Sequence, residues 1–174
     1  MSSSYAPEGV FALPEAILRV LIVEDNEPMR RYIASKVEGQ AELQIVGQVA
    51  DGLDAVQKAE ELQPDLILMD VGLPTLNGIE ATRRIREVSP KSKILFVTEN
   101  CSLDIAEEAL RSGGLGYVVK SDAGKDLLPA IDAVLRGKRF LSARLAGQLL
   151  VTTSVTAAQS VQISWLLMFI SGIG

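Results

Sequence analysis

Leu66–Pro74 reads LILMDVGLP. Four aliphatic residues run without a polar break and end on a carboxylate, Asp70, with Gly72 and Pro74 close behind. An unbroken aliphatic run of this length is the pattern of a strand covered on both faces, as in a parallel sheet flanked by helices. The glycine and proline mark a turn. Asp70 is therefore expected just beyond the carboxyl end of a strand, the edge at which open α/β sheets bind their ligands.

The same pattern recurs on either side. Arg19–Val23 (RVLIV), Leu43–Val49 (LQIVGQV), Lys93–Val97 (KILFV) and Gly116–Val119 (GYVV) are short and aliphatic. Segments of helical spacing separate them: Met29, Ile33 and Val37; Ala55, Ala59 and Leu62; Ile79, Thr82, Ile85 and Arg86; Ile105, Ala109 and Leu110. A fifth follows with Leu127, Leu128, Ile131, Val134 and Leu135. Stop signals fall behind each helix at Gly39, Pro64, Pro90, Gly113–Gly114 and Gly137. Alternation of this kind predicts a doubly wound α/β fold with a five-stranded parallel sheet and helices on both faces.

Composition narrows the chemistry. The chain has 174 residues, a net charge of -5, no histidine and one cysteine, Cys101. Histidine-dependent triads, zinc sites and pH switches are excluded, and one thiol makes no internal disulfide. These counts suit a reducing cytoplasm. The acidic balance argues against binding nucleic acid by charge alone. No charged residue follows Arg144, which is the sharpest compositional boundary in the chain. The division expected is a lead-in over 1–16 without a secretory signal, a folded domain over 17–138, and a linker with an uncharged apolar extension over 139–174.

The residues behind the strands carry the functional reading. Glu24 and Asp25 follow the first, Asp70 the third, Thr98 and Glu99 the fourth, and Lys120 the fifth. Taken singly, each could simply cap a helix or face water. Together, Glu24, Asp25 and Asp70 would repel one another unless a cation joined them. A hard divalent ion with oxygen ligands answers that, and Mg2+ suits an open site that also takes a phosphate oxygen. Metal, ammonium and hydroxyl around one carboxylate are the parts for phosphoryl transfer onto it.

LIVEDN (Leu21–Asn26), LILMDVGLP, FVTEN (Phe96–Asn100) and GYVVKSD (Gly116–Asp122), in this order, resemble the receiver domain of two-component response regulators, over roughly residues 17–137. That resemblance implies a flavodoxin-like (βα)5 fold and a set of roles. Asp70 would be the phosphoacceptor. Asp25 would ligate Mg2+ directly, Glu24 through water, and Gly72 through its backbone carbonyl. Thr98 and Lys120 would hold the phosphoryl oxygens, and Tyr117 with Thr98 would form the switch. The implied partner is a sensor histidine kinase or phosphotransfer protein. Phosphorylation would change partner or homodimer contacts near the fourth and fifth helices, with no turnover of an external substrate. Lys120–Ser142 is similar to the receiver-to-linker region of LuxR/NarL-type transcriptional regulators. No basic helix follows residue 150, so DNA binding by this chain is not expected, and a truncated regulator whose output domain is lost or absent is the alternative. A haloacid-dehalogenase-type hydrolase would want a second carboxylate two residues after the nucleophile, where Gly72 stands. A degenerate receiver would have lost residues that are all present.

Two departures stand out. Glu99 occupies a position where relatives usually carry a small residue, and its carboxylate would slow phosphoryl gain or loss. Gly72 offers no side chain to orient a hydrolytic water. Cys101 has no basic neighbour in sequence to activate it. The densest apolar stretch of the tail, 163–173, is shorter than the roughly 20 residues a membrane span needs. A packing or dimer-forming segment, a weak tether and a remnant of an output domain remain open for it, with a membrane partner not expected.

Overall fold

The computed structural model describes residues 16–148 and 160–171. Most of the expected lead-in, and parts of the apolar extension, lie outside them. The elements alternate: β1 (Leu18–Val23), α1 (Glu27–Glu38), β2 (Leu43–Val49), α2 (Gly52–Leu62), β3 (Leu66–Met69), α3 (Gly78–Val88), β4 (Lys93–Thr98), α4 (Leu103–Arg111), β5 (Gly116–Val119) and α5 (Ala123–Leu135). A two-residue strand, β6 (Phe140–Leu141), follows, then helical residues 143–148 (α6) and a last helix, α7 (Ser160–Ser171). All strand pairs are parallel and their order is β2-β1-β3-β4-β5-β6. The expected doubly wound α/β architecture is present. The sheet has six strands rather than five, because β6 adds to the outer edge of β5, with Gly116 opposite Phe140 and Tyr117 opposite Leu141. A pair of residues is too short for any periodicity, so this strand has no signature in sequence.

Side chains alternate across the sheet, and two apolar layers result. Val20, Ile22, Leu66, Leu68, Leu95 and Val118 face Ile33 and Val37 of α1 and Leu127, Ile131 and Val134 of α5. Leu21, Val23, Ile67, Met69, Ile94 and Phe96 face α2, α3 and α4 through Ala55, Ala59, Ile79, Ile85, Ala106 and Ala109. Leu145, Leu166 and Phe169 join this second layer, so α6 and α7 contribute to it through buried apolar side chains.

The turns at the carboxyl edge are fixed locally. Asn26, Asp51 and Asn77 each cap the helix behind them, accepting the backbone N–H of Met29 at 3.0 Å, Leu53 at 2.7 Å and Glu80 at 2.9 Å. Pro28 sits in the first turn of α1, where no N–H partner is needed. Gly78 lets α3 approach the strand end: a Cβ there would lie 1.9 Å from the Asp70 carbonyl oxygen. Its N–H donates to the Val71 carbonyl at 3.0 Å, and the Asp70 N–H to the Val23 carbonyl at 2.9 Å. The backbone of Asp70 is therefore gripped from both sides.

Candidate functional site

The carboxyl ends of β1, β3, β4 and β5 converge on a cleft of ≈ 500 Å³. Asp25, Asp70, Gly72, Thr98, Glu99 and Lys120 line it, together with Asn26, Val71 and Asn100. Every strand-end residue singled out in the sequence comes to this edge. Glu24 lies beneath the lining, 1 % exposed, and Asp70 and Thr98 are nearly as buried. Asp25, Gly72 and Glu99 are exposed at the rim.

Lys120 ties the buried layer together. Its Nζ lies 2.8 and 3.0 Å from the two Glu24 carboxylate oxygens and 3.0 Å from Asp70 Oδ2. A short 3-10 turn, Lys120–Asp122, carries it directly off β5. Glu24 Oε1 also accepts the Asn26 N–H at 3.1 Å, and the Glu24 carbonyl accepts Arg30 Nη1 at 2.6 Å. Burial raises the pKa of Glu24 above the usual carboxylate range, and the nearby Asp70 charge adds to it, against the hydrogen bond from Lys120. Burial opposes charge on Lys120, yet its hydrogen bond to Glu24 and the pull of Asp70 prevail and raise its pKa.

One ammonium thus serves an acidic cluster. Carboxylate oxygens of Glu24, Asp25 and Asp70 all come within 4.8 Å of one another. Three carboxylates stand against that one ammonium, and only Glu24 and Asp70 pair with it, so the cluster keeps an excess of negative charge when ionised. An all-oxygen donor set with excess charge, open to solvent on the Asp25 side, has the chemistry for a hard divalent cation with several of its own waters. The residues present fit magnesium.

Thr98 and Tyr117 lie on paired strands, with Phe96 opposite Tyr117 and Thr98 opposite Val119. The Tyr117 ring is fully buried, 6.2 Å from that of Phe96, and its hydroxyl donates to the Asn100 carbonyl at 2.9 Å. Burial foremost, and then the Asp70 charge, raises the tyrosine pKa. Thr98 Oγ1 accepts a long bond, 3.4 Å, from the Asn100 N–H. Asn100 therefore links the tyrosine to the cleft, a role the sequence reading missed; its place two residues beyond Thr98 was the only cue. Cys101 is exposed just past this loop.

Residues 20–132 match the family described as "Response regulator receiver domain". The chain is 33 % identical over 134 residues to the transcriptional regulatory protein LiaR of Bacillus subtilis, covering 77 % of this chain and 64 % of that protein. It is 37 % identical over 134 residues to the response regulator GacA of Pseudomonas viridiflava, covering 76 % and 62 %. The chain thus spans less than two thirds of the length of these relatives. Among solved structures, a LuxR-family two-component response regulator from Aurantimonas sp. SI85-9A1 superposes with a TM-score of 0.75 at 32 % identity, covering 80 % of this chain and 99 % of that one.

Proposed function

The chain belongs to the response regulator receiver family, and from that premise we propose that its cleft takes a phosphoryl group onto Asp70 from a phosphohistidine on a sensor histidine kinase or phosphotransfer protein. An Asp70 carboxylate oxygen attacks phosphorus, the phosphorus–nitrogen bond breaks, and the electron pair leaves with the imidazole nitrogen, giving an aspartyl phosphate. The observation that carries this reading is the acidic cluster of Glu24, Asp25 and Asp70 around the single ammonium of Lys120.

Glu24, Asp25, Asp70 and the Gly72 carbonyl would hold Mg2+. When bound, it neutralises the carboxylates and the incoming phosphoryl charge. Lys120, already on Asp70 Oδ2, needs little movement to pair with a phosphoryl oxygen. The Thr98 hydroxyl donates to a second oxygen, and Asn100 couples that contact to the already buried Tyr117. Receiver domains are signalling domains, and the only chemistry proposed is magnesium-dependent gain and loss of the chain's own phosphoryl group. The output is a change in partner or homodimer contacts near α4 and α5. LiaR is named a transcriptional regulatory protein, which supports a place in transcriptional control. No lysine or arginine follows Arg144, so DNA contact is not assigned to the tail. No helix among the described residues is long and apolar enough to cross a membrane; with the single cysteine, this supports a cytoplasmic setting.

Incubation with magnesium and acetyl phosphate, followed by intact mass, tests the reading. One phosphoryl adduct is expected on the native chain and none on Asp70→Asn. Equal adducts on both would overturn it.

A further inference from the structure

The C-terminal helix has a role that the phosphoryl chemistry does not require. Leu166 and Phe169 of α7 are 2 % and 5 % exposed, inside the same packed cluster as Tyr117 and Leu145. Leu141 of β6 and Leu103 and Ile105 of α4 pack against that cluster. A polar contact adds to it. Arg139 Nη1 donates to the Phe169 carbonyl at 3.0 Å, and its guanidinium stands over the Phe169 ring, 4.5 Å from the centroid. Arg139 immediately precedes β6, whose Leu141 pairs with Tyr117.

From β6 the connections continue to the cleft. The Ser142 N–H donates to the Tyr117 carbonyl at 3.0 Å, and Ser142 Oγ accepts the Val119 N–H at 3.1 Å. Arg144 pairs with Asp122 at 3.2 Å, beside Lys120. The Tyr117 hydroxyl holds the Asn100 carbonyl, and Asn100 lines the cleft. Contiguous packing and hydrogen bonds therefore join α7 to the loop that carries Thr98.

We propose that α7 is an intramolecular clamp: docked through Arg139, Leu166 and Phe169, it holds β6 and Tyr117 in place and preorganises the 98–100 loop for a phosphoryl group. This rests on the reading of Asp70 as phosphoacceptor. A loop already ordered costs the ligand less to bind, so clamp and ligand strengthen each other. By linkage the effect is reciprocal: a phosphoryl-like group at Asp70 tightens α7.

The test uses the full chain as native protein, Arg139→Gln and Phe169→Ala. Beryllofluoride with magnesium serves as the phosphoryl mimic. Its affinity is measured by calorimetry, and amide exchange is followed across residues 160–171. In the native chain, the mimic slows exchange in α7. Both variants exchange faster there and bind the mimic about fivefold more weakly. Faster α7 exchange in the variants with unchanged affinity overturns the clamp, as does native α7 exchange that ignores the bound mimic. Failure of the underlying reading looks different: the mimic binds native protein and Asp70→Asn alike, or binds neither, and both inferences fall.

Discussion

The two edges of the sheet each bury a polar cluster, and the clusters differ in whether they close. At the amino edge, ahead of β3 and β4, Ser89 and Ser92 are each 1 % exposed. Ser92 Oγ donates to the Pro64 carbonyl at 2.5 Å and lies 2.7 Å from Ser89 Oγ. The Gln63 amide reaches the Val88 carbonyl at 3.0 Å, and Arg86 the Ser92 carbonyl at 3.1 Å. The serines and the carbonyls they meet are neutral and satisfied, which is the arrangement of a scaffold. At the carboxyl edge, three carboxylates cluster, only two of them, Glu24 and Asp70, pair with the one buried ammonium, and a cleft opens beside them. Satisfied neutral groups hold a turn; uncompensated charge marks the edge with chemistry left to do.

Substitutions at the two edges should therefore have different effects. The largest effect is expected at Lys120. Lys120→Met leaves Glu24 and Asp70 buried without their cation, and removing one partner of a buried pair costs about 3–5 kcal/mol. Phosphoryl uptake falls by about a hundredfold or more as well. Denaturant unfolding and acetyl phosphate kinetics measure the two losses. The pH dependence follows from the raised pKa. The folded lysine holds its proton more tightly than the unfolded one, whose value is 10.5. Its stabilisation is complete below 10.5 and is lost as pH rises through the higher folded value. Native protein should therefore lose melting temperature over that alkaline range more steeply than Lys120→Met. Parallel profiles would break the assignment.

Ser92→Ala is the matching change at the other edge. It leaves the Pro64 carbonyl unpaired and costs about 1–3 kcal/mol of stability, with phosphoryl uptake unchanged once the chain is folded. A loss of uptake in folded Ser92→Ala would erase the distinction between the edges. Glu99→Ala is the smallest. Its carboxylate lines the rim without a structural burden, and its removal should speed phosphoryl gain or loss by about two- to fivefold through relief of repulsion. Stopped-flow rates identical to native would show that the rim charge is silent.

The contrast also explains what the sequence disclosed. Strands β1 to β5 and their helices were legible because burial on both sheet faces leaves unbroken aliphatic runs, and the stops are local. Gln63, the C-cap ahead of Pro64, has φ 46°, and Gly113 and Gly137 have φ 124° and 74°. The strand-end residues were legible as a group because a parallel sheet brings all such ends to one edge. Three features were not. β6 is two residues long and owes its register to β5, not to its own pattern. The Tyr117–Asn100 bond ends on a backbone carbonyl, which no residue type announces. The tail read only as apolar; burial of Leu166 and Phe169, with Met168 and Ile170 exposed, comes from tertiary packing. That burial favours the packing reading for α7 over a tether.

The proposed role of Asp70 as phosphoryl acceptor rests on the carboxylates gathered around it at the carboxyl edge. Borohydride reduction of the acetyl phosphate-treated chain, followed by peptide mapping, tests it most directly, because only an acyl phosphate is reduced to the alcohol. A single converted residue is expected, at position 70, and its conversion depends on magnesium. Conversion at another carboxylate, or at position 70 without magnesium, would contradict it.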